Sequence, residues 1–172
     1  MSVTEQSEPA YLATERRLDR VRDEFALQEG YVGSSEDVSP WVPFVENVWI
    51  RHLTFDIRNN SAANVLWVES GGTLGRHRHR GPVSGYVIEG SWRYLEYDWI
   101  AGPGDFVRES PGRCHTLVSD EGMKTMFWLN GALEFLDEDD HIMETVDVFW
   151  FIDHYKSHCK AKGLPVNERL FL

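Results

Sequence analysis

The stretch GGTLGRHRHRGPVSGYVIEGSWRYLE, residues 71–96, decides the fold of this chain. It places two histidines one residue apart among glycines, ahead of two strand-like runs. Side chains at positions i and i+2 of a β-strand point to the same face, so His77 and His79 are expected to project together. The alternating arginines are expected on the opposite face, in ion pairs rather than as substrate ligands: Arg76, Arg78 and Arg80. The spacing predicts a pair of metal ligands on one strand.

A third histidine supports this metal site. His115 follows the turn cluster SPG at residues 110–112, and a strand-like run lies directly behind it. Two pairs of strands would bring all three imidazoles to one point, which is a donor set that divalent metals accept. A histidine pair alone is more often simply solvated, so the third histidine and the glycines carry the prediction.

The same residues resemble the two motifs of the cupin superfamily. Gly71, His77, His79 and Gly90 match the first motif, and GDFVRESPGRCH at residues 104–115 resembles the second. Many cupins have a glutamate four residues after the second histidine. This chain has Val83 there, so the usual fourth ligand is missing. The resemblance implies an all-β jelly-roll (double-stranded β-helix) barrel.

A narrower resemblance covers the chain from about Trp41 to its C-terminal helix. The segment from HRHRGPVSG through GSWRYLEYDW is similar to the 2,4'-dihydroxyacetophenone dioxygenases. That family is described as iron-dependent and as cleaving a carbon–carbon bond with O2. The resemblance therefore implies one non-haem iron per subunit, an aromatic ketone substrate, and 4-hydroxybenzoate and formate as products.

Composition excludes several classes of protein. The chain has 172 residues, 17 basic and 28 acidic side chains and a net charge of −11, which repels phosphate backbones and argues against nucleic acid. The two cysteines, Cys114 and Cys159, have no ligand-like spacing, and reduced thiols are expected. The sequence contains no signal-peptide pattern and no membrane-spanning run, so we expect a cytoplasmic protein.

The pattern along the chain predicts a single domain in three segments. Residues 1–40 form a polar tail and a helix at about 11–27, residues 41–146 form the barrel, and residues 147–172 form a C-terminal helix and tail. The N-terminal helix is too polar for a core and is expected on the barrel or against another subunit. Exposed strand edges and amphipathic terminal helices favour a homo-oligomer, a dimer or tetramer.

Turn and capping residues bound the later elements. Asn130-Gly131 between apolar runs predicts a hairpin from residues 124–129 to 133–136. Asp147 is expected to cap a helix over residues 148–162 that ends at Gly163. The remaining histidines are interpreted as structural or exposed rather than as ligands: His52, His141, His154 and His158.

Two carboxylates are candidates for catalysis. Glu96 shares the period of Trp92 and Tyr94, so it is expected to point inward, either as a fourth ligand or general base or in a structural ion pair. Glu109 precedes His115 by six residues. Acetylacetone-cleaving cupins have a glutamate in a similar place, and this resemblance implies that Glu109 is a base or supports a metal ligand.

Four aromatic residues are expected to line the substrate pocket, although ordinary barrel core is an equally good interpretation of each: Tyr86, Trp92, Tyr94 and Trp128. Three neutral imidazoles leave the charge of a divalent ion uncompensated, which suits a bidentate anion such as a deprotonated α-hydroxyketone. Imidazole does not select the metal. The alternatives are a β-diketone dioxygenase with the same histidines and a non-catalytic zinc cupin that acts as a sensor.

Overall fold

The computed structural model describes residues 9–25 and 30–172. They fall into two units, one ending at Gly30 and one spanning Tyr31–Leu172, and each is described by itself. In the first unit, α1 spans Ala10–Phe25, so the predicted N-terminal helix forms, and its predicted end at Leu27 lies outside the described residues. None of the described helices is long and apolar enough to cross a membrane.

The second unit is built on two antiparallel sheets. Within the described residues the strands are β1 (Val42–Val45), β2 (Val48–Asp56), β3 (Ser61–Val68), β4 (Gly72–His79), β5 (Val83–Gly90), β6 (Arg93–Tyr94), β7 (Phe106–Glu109), β8 (Cys114–Ser119), β9 (Met123–Asn130), β10 (Leu133–Leu136) and β11 (Ile142–Val146). One sheet has the order β1-β2-β3-β9-β5-β7, and the other has the order β11-β10-β4-β8-β6. This is the predicted all-β jelly-roll.

The core lies between the two sheets. Alternate residues of β3 and β9 from the first sheet face alternate residues of β4 and β8 from the second, and the buried side chains form one cluster. Such alternation is typical of strands with one buried and one exposed face. The metal-binding candidates lie on β4 and β8, in the middle of the second sheet.

The predicted hairpin at Asn130-Gly131 is wrong. β9 pairs with β3 and β5, whereas β10 pairs with β4 and β11, so the chain crosses from one sheet to the other at this point. Gly131 has φ +75°, and its amide donates to the carbonyl of Asn60. The turn residues were identified correctly, but turn chemistry alone does not specify which strands pair.

The C-terminal helix forms as predicted. α2 spans Val148–Lys162, the Asp147 side chain accepts a hydrogen bond from the amide of Trp150, and Gly163 ends the helix in the left-handed conformation. Its buried face packs against β2, where Phe151 and Tyr155 contact the ring of His52. The helix therefore covers one side of the first sheet at β2.

The imidazole of His52 is buried and has no hydrogen bond among the described residues. Both of its ring nitrogens are buried without a partner, and the rings of Phe55, Phe151 and Tyr155 surround it. Burial, helped by the nearby charge of His154, lowers the pKa of His52 to about 3. The side chain is neutral in the folded protein and behaves as an aromatic core residue, which is the structural one of the two alternatives that the sequence left open.

We expect His52→Phe to stabilise the protein. The variant removes two buried polar atoms without partners, each of which costs about 1–3 kcal/mol, and should gain about 1 kcal/mol at pH 7. The unfolded histidine binds a proton below about pH 6.5 and the folded one does not until about pH 3, so wild type loses stability as the pH falls between these values. The advantage of the variant should therefore grow by about 2 kcal/mol between pH 7 and pH 5.

Urea unfolding of both proteins in the presence of a chelator measures this difference. The other histidines are common to both proteins and cancel in the comparison. A difference in stability that is independent of pH would contradict a neutral, buried His52.

Candidate metal centre

The metal-binding strand contains a β-bulge at residues 75–76. Leu74 pairs with Leu117, but His77 pairs with His115, so β4 has two residues between these pairs where β8 has one. A bulge of this kind adds one unpaired residue to a strand and shifts the phase of its side chains.

The bulge decides which side chains of β4 face the barrel interior. Leu74 is buried before it, and His77 and His79 are buried after it. A shift of one residue exchanges the two faces of a strand, so a regular β4 would turn Arg76 and Arg78 inward instead. The sequence pattern predicted that the two histidines share a face, but the bulge determines that this face is the inner one.

The three predicted histidines meet inside the barrel. One nitrogen atom from each of His77, His79 and His115 lies within 4.8 Å of the others, and all three side chains are buried. The centroids of the His77 and His115 rings are 4.6 Å apart, as expected for residues directly opposite each other on neighbouring strands.

Neighbouring groups orient these imidazoles. Nδ1 of His77 is 2.7 Å from the carbonyl oxygen of Gly75, which can only accept, so this nitrogen carries the proton and Nε2 keeps its lone pair. The ring of His115 stacks on Tyr94 at 3.7 Å with an interplanar angle of 7°. Contacts of this kind fix the ligands of metal sites in proteins.

Glu109 is the fourth side chain at the centre. It is 5% exposed, and its Oε2 lies 3.0 Å from Nε2 of His79 and 3.5 Å from Nε2 of His115. Burial raises the pKa of Glu109, but interactions with His79, Tyr94 and His115 outweigh burial, and the net shift is downward. The group is therefore a carboxylate at neutral pH.

Two of the histidines, His77 and His115, are neutral imidazoles. Burial and repulsion from the neighbouring histidines lower the pKa of His77 to about 3. Burial also lowers the pKa of His115 to about 4, against the opposing effect of Glu109. Neutral imidazoles are the form that binds a metal.

The three histidines fit a divalent transition-metal ion, and Glu109 lies beside two of them. Both carboxylate oxygens of Glu109 and Nε2 of His115 are buried and have no hydrogen-bond partner with good geometry among the described residues. Buried polar atoms of this kind require a ligand, and three imidazoles with one carboxylate form a donor set suited to iron, zinc, copper or nickel.

The expectation that Glu96 points inward is wrong. β6 ends at Tyr94, and Glu96 lies in the turn that follows, with an exposed carboxylate. Its Oε2 accepts a hydrogen bond of 2.9 Å from the amide of Thr116, and Oε1 lies 3.7 Å from Arg76. The structure thus supports the alternative of an ion pair, and the period of two failed because the strand is only two residues long.

The four predicted pocket aromatics lie on both sides of the sheets. Trp92 and Tyr94 are buried, and Tyr94 is part of the wall around the centre. Tyr86 and Trp128 are 51% and 48% exposed on the outer face of the first sheet, so their assignment to the pocket is wrong. The inner face of β5 carries Val83 and Val87, and strand alternation sends Tyr86 outward.

A small internal cavity adjoins the centre. It has a volume of about 40 Å³ and is lined mostly by apolar side chains, with His77, His79 and Glu109 at one end. Asn64 on β3 is buried and also lines the cavity. Asn64 was not predicted from the sequence, because no motif in the run SAANVLWV distinguishes a functional asparagine from a structural one.

A second pocket lies on the outer side of the centre. It has a volume of about 180 Å³ and shares Tyr94 and Glu109 with the internal cavity. His115 also lines it, and its outer walls come from the segment after β6 and from the turn before β8. The centre is thus bordered by two spaces of different size.

The arginines of β4 form ion pairs, as predicted. Arg78 and Arg80 both contact the carboxylate of Glu134 at 2.7 Å, and Arg76 contacts Asp140 at 2.6 Å. These pairs keep the positive charges of β4 outside the barrel.

Comparisons with known proteins agree with this geometry. A family model described as the ChrR cupin-like domain matches residues 30–134. The chain belongs to this cupin family. A search of curated proteins found no match.

Several solved structures are similar to this cupin. An RmlC-like cupin from Ralstonia eutropha JMP134 is 29% identical, with a TM-score of 0.78 over 84% of this chain and 95% of that chain. An acetylacetone dioxygenase from Acinetobacter johnsonii is 17% identical, with a TM-score of 0.72 over 77% of this chain and 95% of that chain. The anti-sigma factor ChrR of Rhodobacter sphaeroides, in complex with SigE, is 22% identical, with a TM-score of 0.51 over 75% and 70%. At these identities, the similarities to the dioxygenase and to ChrR show the fold alone.

We expect His115→Ala to remove metal binding. The variant deletes one of three imidazoles and should weaken the affinity for zinc or iron(II) at least about 100-fold, since even residues around metal ligands contribute 10–100-fold. His141→Ala is the matched control, because its exposed imidazole contacts only Asp137 on the surface. Metal analysis and calorimetric titration measure the effect. Equal metal content in both variants would exclude the three-histidine centre.

Proposed function

We propose that this cupin is a non-haem iron dioxygenase that cleaves the carbon–carbon bond of an aromatic α-hydroxyketone, such as 2,4'-dihydroxyacetophenone. The observation that carries the proposal is the buried Glu109 carboxylate beside three buried imidazoles. It supplies a proton acceptor directly at the metal ligands. The resemblance of residues 77–118 to the dihydroxyacetophenone dioxygenases supports the choice of substrate.

The proposed reaction is balanced without any further reductant. An aryl ketone of the form Ar–CO–CH2OH reacts with O2 to give Ar–COOH and HCOOH. The bond between the carbonyl carbon and the hydroxymethyl carbon breaks, and each of the two carbons gains one oxygen atom from O2. Bound iron(II) would supply a Lewis acid for the two substrate oxygens and electrons for the activation of O2.

The side chains of this protein would deprotonate and orient the substrate. Glu109 is ionised and lies within reach of an acidic proton on a ligand bound beside His79 and His115, so it would accept the proton whose loss gives the enediolate. The Gly75 carbonyl and the Tyr94 ring hold two of the imidazoles in fixed orientations. The apolar cavity walls would keep bulk water away from the deprotonated substrate.

Cleavage of a β-diketone is the second candidate. An internal cavity of about 40 Å³ suits a small aliphatic ligand better than an aromatic one, and an acetylacetone dioxygenase is among the proteins with a similar fold. This reaction would use the same three histidines and the same carboxylate. It would not require a hydroxyl group on the substrate.

A non-catalytic zinc cupin is the candidate from another class. The match to the ChrR cupin-like domain favours it, because one solved member with a similar fold is an anti-sigma factor in complex with SigE. In such a protein the buried Glu109 and the histidines would hold zinc, and no ketone would be consumed.

We expect oxygen uptake by anaerobically iron-loaded protein on addition of 2,4'-dihydroxyacetophenone. One O2 should be consumed per ketone, with formate and 4-hydroxybenzoate formed in equal amounts. Acetylacetone, tested in parallel, distinguishes the second candidate. Uptake with neither ketone, by protein that is isolated with zinc, would leave the zinc cupin as the function.

We expect Glu109→Gln to lower turnover at saturating iron by at least about 100-fold, because an amide cannot accept the proton. It should also weaken metal affinity by about 10–100-fold. Glu96→Gln is the matched comparison, since the Glu96 carboxylate lies outside the centre, where it accepts from the amide of Thr116 and pairs with Arg76. Steady-state oxygen uptake and metal titration measure both effects. Wild-type turnover in Glu109→Gln would exclude this residue as the base.

A further inference from the structure

The pocket on the outer side of the centre contains two arginines. Arg108 on β7 and Arg113 in the turn before β8 line this space together with Tyr97 and Trp99. Both arginines are exposed, whereas Glu109, which lies next to Arg108 in sequence, faces the barrel interior. The pocket therefore extends from two positively charged side chains at the protein surface to the candidate metal centre.

These two arginines differ from most others in the barrel unit, although Arg58 and Arg169 also lack a carboxylate within 4.0 Å among the described residues. Arg51, Arg76, Arg78, Arg80 and Arg93 each lie within 4.0 Å of a carboxylate. Within the described part of the chain, neither Arg108 nor Arg113 has an ion pair. In a protein with a net charge of −11, two uncompensated guanidinium groups at one pocket form a distinct site for an anion.

The pocket walls are aromatic. The rings of Tyr97 and Trp99 lie nearly parallel, at 13° with centroids 5.8 Å apart, and Tyr94 packs edge-on against both. Aromatic side chains offer a large apolar surface for another ring at little cost in conformational entropy. Guanidinium groups add bidentate hydrogen bonds to planar oxyanions.

The two spaces beside the centre differ in volume. A cavity of about 150 Å³ is known to hold benzene, so the internal cavity of about 40 Å³ is too small for a phenyl ring. The outer pocket, at about 180 Å³, is large enough. Because Tyr94 and Glu109 line both spaces, a ring in the outer pocket lies next to the centre.

We propose that the outer pocket binds the aromatic ring of the substrate and that Arg108 and Arg113 bind an oxyanion carried by this ring, a phenolate or a carboxylate. The inference rests on the proposed function and specifies its substrate class. The ketone end of the substrate would lie toward Glu109 and His115, and the anionic substituent would lie at the mouth of the pocket. A hydroxyl group para to a carbonyl is more acidic than an ordinary phenol, and two guanidinium groups would favour its ionised form.

Binding of benzoate and of benzamide tests this proposal without any turnover. The two probes have the same ring and nearly the same shape, but only benzoate is charged. We expect wild-type full-length protein, freed of metal by chelation, to bind benzoate about tenfold more tightly than benzamide. Metal is removed so that the carboxylate of the probe cannot bind it directly, and circular dichroism verifies that the protein remains folded.

The double variant Arg108→Met/Arg113→Met should bind both probes with equal affinity. Methionine keeps most of the aliphatic volume and removes the charge. The double variant Arg58→Met/Arg93→Met removes the same net charge from positions outside the pocket and should keep the tenfold preference. Calorimetric titration gives the affinities.

Two results would overturn the proposal. One is equal or undetectable binding of the two probes to wild type, and the other is an unchanged preference for benzoate in Arg108→Met/Arg113→Met. A parallel titration with 4-hydroxyacetophenone and acetophenone distinguishes a phenolate from a carboxylate as the preferred oxyanion. If wild-type protein prefers benzoate but consumes no oxygen with either ketone, the dioxygenase is rejected and the aromatic-anion pocket remains.

Discussion

The antiparallel pairing of β4 with β8 is the constraint on which the centre depends. It places His77 directly opposite His115, so that the two imidazoles meet without any contribution from flexible loops. The bulge at residues 75–76 then sets the phase of β4, and His79 follows on the same inner face. Ligands held on paired strands are positioned more precisely than ligands on loops.

The two buried glutamates on either side of β4, Glu134 and Glu109, differ in how their negative charges are compensated. On the outer face, Glu134 is nearly buried and accepts hydrogen bonds from Arg78 on β4 and from Arg80 just after it, so its charge is compensated. On the inner face, Glu109 is buried, and within the described residues its polar neighbours are His79 and His115 rather than an arginine or a lysine. An uncompensated carboxylate in a protein interior is costly, and a bound metal would remove most of this cost. The inner face is therefore arranged for a ligand rather than for stability.

The cupin fold by itself does not decide the reaction, because the same barrel supports enzymes and regulatory proteins. The features of this chain that bear on the reaction are the position of Glu109 and the two spaces beside it. A small apolar cavity and a larger aromatic pocket share Tyr94 and Glu109, so the size and charge of a ligand determine which space can hold it. A function as a non-catalytic zinc cupin, by contrast, requires only the four side chains of the centre and neither of these spaces.

The sequence by itself determined the three histidines and the caps of α2, because each depends on a local pattern: the His-x-His spacing, the glycine turns, and Asp147 with Gly163. The jelly-roll was implied by the resemblance of these motifs to those of cupins. The sequence placed Glu96 inward and Tyr86 and Trp128 in the pocket, because a period of two identifies residues that share a face but does not show which face is buried or where a strand ends. Only the tertiary structure decided these points, together with the bulge in β4, the crossing at Gly131 and the convergence of Glu109 with the imidazoles. These features depend on pairing between strands that are distant in sequence, and pairing partners are selected by packing of the whole barrel rather than by any local pattern.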